Sequence, residues 1–185
     1  MYRFIVVTLI FALTACGSSM DYYHSPNFNS SLNRFLHPDG HQRNKKQSEL
    51  FAVMREFSKR KYDQSEQNGF PVEFSKQDEI STFSESVMWI GQSTILLNHK
   101  GLTVLTDPQF SNRASPLFFG GPKRVTPTPF KIEDLPDIDL VLISHNHYDH
   151  LDRSSIRDLI KHQPSIKFMV PLGLAQTLHK WGAVD

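Results

Sequence analysis

The sequence predicts an α/β domain with a mixed sheet and flanking helices. Three observations carry that expectation. Short apolar runs between Ser86 and Asp107 are joined by turn residues, which reads as an antiparallel meander. The most hydrophobic strand follows at Asp139–Ser144. A helix-periodic stretch and another apolar run come next, and a strand–helix–strand order implies a parallel crossover.

Taken in chain order, residues 1–15 have the shape of a signal peptide. Arg3 gives a basic start, Phe4–Ala12 is apolar, and small residues precede Cys16. The run is too short to span a bilayer as a mature helix, which needs about 20 apolar residues. "LTAC" resembles the lipobox of bacterial lipoproteins, in which the cysteine becomes the first residue and carries lipid. Cys16 is the only cysteine of the 185 residues, so no intrachain disulfide is possible. The expectation is lipidation of Cys16 and anchorage in the bacterial cell envelope, with Gly17 favouring the outer membrane.

Residues 16–46 are polar and rich in Ser, Asn, Pro and Gly, and show no sustained period. They read as a tether, with Tyr22, Tyr23, Phe28 and Phe35 resting on the domain surface. A partial domain is expected over residues 47–185. It opens with a helix over Gln47–Lys61, whose apolar positions Leu50, Val53, Met54 and Phe57 recur at three and four. Lys59, Arg60 and Lys61 either meet anionic headgroups or form an ordinary solvated helix end, and the second reading leads.

Three strands are expected at Ser86–Ile90, Thr94–His99 and Leu102–Asp107, the last two joined by a Lys100-Gly101 turn. Pro108 ends the third, because it has no N–H for the ladder. Residues 108–138 hold six prolines and read as a long irregular excursion. After the strand at Asp139–Ser144, Asp152 should cap a helix, with Leu151 and Ile156 as its hydrophobic staple. Ile156, Leu159 and Ile160 give that helix its buried face, and Pro164 stops it. A strand at Ile166–Pro171 and a short helix over Leu172–Trp181, ended by Gly182, complete the pattern. The net charge of +1 gives no reason to expect a nucleic-acid partner.

"ISHNHYDHLD" gathers three of the nine histidines at the end of the apolar strand. Residues two apart in an extended segment face the same side, so His145 and His147 can converge on one ion. The following turn can present Asp149 and His150 to the same pocket. Imidazole and carboxylate donors suit zinc, with manganese and iron also compatible. Strand carboxyl ends are the usual ligand-binding edge of α/β sheets.

"HNHYDH" resembles the HxHxDH signature of the metallo-β-lactamase superfamily, which implies an αββα sandwich with metals at one edge. "WIGQSTILL", "LTDPQFSNRASP", "GPKR", "LPDIDLVLISHNHYDHLD" and "VPLGL" together resemble the N-acyl phosphatidylethanolamine-hydrolysing phospholipase D family. That resemblance covers Trp89 to Trp181. It implies His145 and His147 on a first zinc, and Asp149 and His150 on a second. Asp149 would also orient or deprotonate the attacking water. Asp107 matches an aspartate that braces the metal loop, and a turn-initiating Asp before Pro is its other reading. Gln92 stands where relatives often carry histidine.

The implied reaction hydrolyses N-acyl phosphatidylethanolamine, a membrane phospholipid, to N-acylethanolamine and phosphatidic acid. The family pattern has three more metal donors, all beyond the point matching "WGAVD". His162 and His179 lie in helix-like stretches and match none of them. The chain is therefore expected to be the N-terminal half of the sandwich, inactive by itself, with an uncovered sheet face prone to self-association. A non-catalytic metal-binding lipoprotein, or a superfamily hydrolase of another ester or a lactone, are the alternatives.

Overall fold

The computed structural model describes residues 25–32, 34–37, 39, 49, 52, 55–56, 85–116 and 121–184. The signal-like segment, Cys16 and the Lys59–Lys61 cluster lie outside them. The chain divides into two units, Met1–Tyr62 and Asp63–Asp185.

In the first unit, β1 (Phe28–Asn29) and β2 (Arg34–Phe35) pair antiparallel. Phe28 and Phe35 are direct partners with ring centroids 5.2 Å apart. Asn29 Oδ1 accepts from the Leu32 N–H at 2.9 Å and closes the turn. The sequence leads one to expect an unpaired arm here, and two-residue strands are too short to show alternation. One cross-strand aromatic pair and one Asn-closed turn hold the hairpin instead. Glu49, Ala52, Arg55 and Glu56 are helical and exposed, consistent with the polar side of the expected helix, whose apolar positions lie outside the described residues.

The second unit is built on a five-stranded mixed sheet. Its strands are β3 (Glu85–Gly91), β4 (Thr94–His99), β5 (Leu102–Thr106), β6 (Leu140–Leu142) and β7 (Lys167–Met169), in that spatial order. The first two pairings are antiparallel and the last two parallel, so the expected meander and crossover are both present. Lys100 (φ 51°) and Gly101 (φ 81°) make the β4–β5 turn. Two left-handed central residues match the twist of the flanking strands, and glycine takes that conformation without strain.

Strand register decides which side chains form the core. Met88, Leu96, Leu105, Val141 and Phe168 are successive cross-strand partners and so form one row on one face. Against that face pack α1 (Arg153–His162) and α2 (Ala175–Trp181), through the fully buried Ile156, Leu159 and Leu178. The neighbouring rows, which include Val87, Trp89 and Met169, face the other way. Those three are 72%, 64% and 62% exposed.

Helix α1 begins as its sequence suggests. Asp152 is its N-cap and accepts from the Ser154 N–H at 3.2 Å, while Leu151 and Ile156 are both buried on either side of the cap. Gln163 ends the helix and reaches back to the excursion: its Oε1 accepts from the Ile138 N–H at 2.7 Å and its Nε2 donates to Pro136 O at 2.8 Å. The stretch from Asp107 to Asp139 is otherwise irregular, apart from a 3₁₀ turn at Ile132–Asp134 and a bridge between Arg113 and Lys123. Phe130, Leu135 and Ile138 tie it to the core.

Strand β6 is shorter than the apolar run that marks it. The Asp139 carboxylate accepts from the Thr103 N–H at 2.8 Å, and the Ser144 N–H donates to the Asp107 carboxylate at 2.7 Å. At both ends a side chain replaces the neighbouring backbone.

Asp152 also receives the Ser155 hydroxyl at 2.6 Å and the Ser111 N–H at 3.1 Å, while itself buried. Asp152→Ala removes a cap and strands two further donors. It is expected to lower the unfolding free energy by about 2–3 kcal/mol, read from a urea midpoint, with Asp152→Asn costing less.

Candidate metal centre

Strands β5 and β6 part at their carboxyl ends. The Asp107 N–H still donates to Leu142 O at 2.8 Å and the Ile143 N–H to Met169 O at 3.0 Å. Beyond them the Asp107 side chain takes over. Its Oδ1 accepts from the Ser144 N–H at 2.7 Å, and its Oδ2 from the Ser144 hydroxyl at 2.7 Å and His150 Nδ1 at 2.9 Å. Asp107 is 5% exposed and has a left-handed backbone, φ 38°. The Thr94 hydroxyl, itself buried, donates to Asp107 O at 2.8 Å.

The four histidine-cluster residues converge as two pairs. His145 Nε2 lies 3.0 Å from His147 Nδ1, and His150 Nε2 lies 3.4 Å from Asp149 Oδ2. The rings of His145 and His150 lie in tilted contact with centroids 4.0 Å apart, which joins the pairs. Two donors on a tetrahedral zinc at about 2.0–2.1 Å stand about 3.3 Å apart, so both separations suit a shared cation. No group of three or more His, Cys, Asp or Glu side chains among the described residues is arranged to hold a metal ion. The single four-donor hollow expected from the sequence is therefore not formed. His145 and His147 lie within hydrogen-bonding distance of each other, and His150 turns Nδ1 to Asp107.

The network also assigns the protons. The Ser144 hydroxyl donates to Asp107, so at 2.9 Å it accepts from His145 Nδ1. That leaves a lone pair on His145 Nε2, towards which His147 Nδ1–H points. His150 gives its Nδ1–H to Asp107 and turns Nε2 to the Asp149 carboxylate at 3.4 Å. A carboxylate on the remote nitrogen is the usual device for fixing a ligating imidazole. Gln92, at the β3–β4 turn, donates its side-chain N–H to Asp149 Oδ2 at 3.1 Å.

Residues that attract no notice in the sequence hold the Asp107 segment. Gln109 N–H donates to the Thr94 hydroxyl at 3.1 Å, and Phe110 N–H to the Ser155 hydroxyl at 2.8 Å. Arg124 binds Gln109 through both its carbonyl and its side-chain oxygen, and donates to Ser111 O at 3.3 Å. Burial lowers the Arg124 pKa, and the Asp152 charge opposes that. The "GPKR" and "DPQFSNR" motifs are thus two sides of one clamp. Only their company in one string of motifs signals it, since Gln109 and Arg124 are far apart in sequence. Ser144 had one available signal, its place directly before the first histidine.

Residues 103–185 match the family described as "Beta-lactamase superfamily domain", and the mixed α/β fold is of the metallo-β-lactamase type. The chain is 45% identical over 94 residues to N-acyl-phosphatidylethanolamine-hydrolyzing phospholipase D 1 of Caenorhabditis elegans, which covers 51% of this chain and 26% of that protein. It is 35% identical over 69 residues to a UPF0173 metal-dependent hydrolase of Hyperthermus butylicus, which covers 37% of this chain and 24% of that one. A possible metal-dependent hydrolase from Veillonella parvula superposes with a TM-score of 0.47 at 22% identity, over 56% of this chain and 41% of that one. The chain spans about a quarter of the length of these curated relatives.

If Asp107 fixes the tautomer, His150 carries its proton on Nδ1. Two-bond ¹H–¹⁵N correlation spectra should show that form in the wild type, and a mixed or reversed form in Asp107→Leu.

Proposed function

We propose that the chain carries part of a zinc-dependent phosphodiesterase site acting on N-acyl phosphatidylethanolamine. One observation carries the reading: His150 Nε2 and Asp149 Oδ2 face each other at 3.4 Å. On this reading His150 is neutral with its proton on Nδ1, so these two atoms are acceptors that a cation would bridge. The similarity to an N-acyl-phosphatidylethanolamine-hydrolyzing phospholipase D supports the substrate class. The metal-dependent hydrolases among the relatives support the reaction class.

On this reading His145 and His147 hold one ion, and Asp149 and His150 hold a second. Nitrogen and oxygen donors of these types suit zinc. Bound zinc supplies Lewis acidity towards phosphoryl oxygens and a water that deprotonates near neutral pH. Asp107 keeps His150 aimed, and Ser144 keeps His145 aimed. Asp149 orients the attacking water or accepts its proton. Water oxygen bonds to phosphorus, the P–O bond to the ethanolamine oxygen breaks, and the proton taken from the water passes to that oxygen. N-acylethanolamine and phosphatidic acid leave. Trp89, exposed beside this edge, and Tyr148, exposed within the loop, offer amphipathic rings to a lipid interface.

Lipidation at Cys16 would hold such an enzyme against its substrate in the bacterial envelope, with the outer membrane the favoured location. The non-catalytic alternative has its own support, because two protein donors per ion fall short of the three usual for catalytic zinc.

Three measurements test these statements. The purified protein should retain zinc through dialysis, by elemental analysis, and His145→Ala should weaken binding at least about a hundredfold, beyond the 10–100-fold typical of losing an outer partner. Absence of zinc from the wild type defeats the proposal. N-acyl phosphatidylethanolamine should be turned over and chelation should stop it. Zinc retention with no turnover favours the non-catalytic reading, and turnover of lactones instead overturns the substrate. Radiolabelled palmitate should enter the wild type in a bacterial host but not Cys16→Ser.

A further inference from the structure

Gln92 is in an expensive conformation for its residue type. It occupies the β3–β4 turn with φ 52°, in the left-handed region that glycine and asparagine occupy more readily. A glutamine held there costs on the order of 1 kcal/mol of backbone strain. Two contacts give that conformation an outcome. The Trp89 indole N–H donates to Gln92 O at 2.8 Å and fastens the turn. The Gln92 side-chain amide then spans 57 residues of sequence to donate to Asp149 Oδ2 at 3.1 Å.

We propose that Gln92 is a positioning residue for Asp149, holding its carboxylate against the His150 side of the centre. The inference rests on the reading of Asp149 as a metal ligand. Asp149 sits on a loop, and its carboxylate can swing about two side-chain torsions. An amide on Oδ2 restricts that swing and leaves Oδ1 free. The turn is a better mount than the loop, because β3 and β4 are paired from Glu85–His99 to Gly91–Thr94. Outer partners of this kind set metal affinity by about 10–100-fold.

The test uses zinc alone as the probe, titrated calorimetrically into the metal-stripped chain, alongside thermal unfolding of the stripped protein. Gln92→Met keeps the side-chain length and loses the donor. Gln92→Asn keeps an amide and suits the left-handed backbone, yet is one methylene too short to reach. Both should bind zinc about tenfold more weakly than the wild type. The Asn variant should unfold at the same temperature as the wild type or higher, because its strain is lower. Affinity and stability then move apart, which a merely structural role does not allow. Wild-type affinity in both variants overturns the positioning role and leaves the metal centre standing. A parallel fall in stability and affinity in the Asn variant also overturns it. A wild-type protein that binds no zinc removes the metal reading itself.

Discussion

The Asp107 carboxylate is the constraint on which the site depends. A buried, ionisable oxygen pair costs several kcal/mol unless donors surround it. Here the Ser144 backbone and hydroxyl and the His150 ring supply three. The same bonds end β6 and begin the histidine loop. Because the carboxylate stands in for the next rung of the β5–β6 ladder, the two strands can separate without leaving the Ser144 N–H unpaired. The opening between them is where the imidazoles gather. Geometry at the centre is thus an extension of sheet hydrogen bonding, and rigid for that reason.

That carboxylate needs its own support, since its backbone is left-handed. Thr94 holds its carbonyl from β4, and the residues after it are clamped by Ser155, Asp152 and Arg124. Helix α1 therefore has two duties. Its apolar side closes the core through Ile156 and Leu159, and its first turn anchors the Asp107 segment through the N-cap. Changes at Asp152 or Arg124 act on the centre only through Asp107, whereas changes at Gln92 act through Asp149.

Much of this was legible in the residues, and the limits have physical causes. Short apolar runs and turn chemistry located the five strands, and 3.6-residue periodicity with a cap located α1. Strand ends were overestimated at Asp139–Ser144, because an apolar run does not reveal where a side chain displaces the ladder. The β1–β2 hairpin was invisible, as two residues carry no period. At the site, spacing alone brought His145 and His147 together. The contact between Gln92 and Asp149 had no local signature, since register places the β3–β4 turn beside a loop 57 residues later. The direct pairing of His145 with His147 was equally unforeseeable, for either nitrogen of each ring can turn inward.

That pairing connects the two halves of the centre. His145 has a lone pair on Nε2 because Ser144 holds its other nitrogen, and Ser144 can do so only because Asp107 takes the hydroxyl proton. His147 Nδ1 lies 3.0 Å from His145 Nε2. His150 Nε2 stands 3.4 Å from Asp149 Oδ2, while its other nitrogen is turned to Asp107. Both pairs trace back to a single carboxylate, one through Ser144 and the other directly.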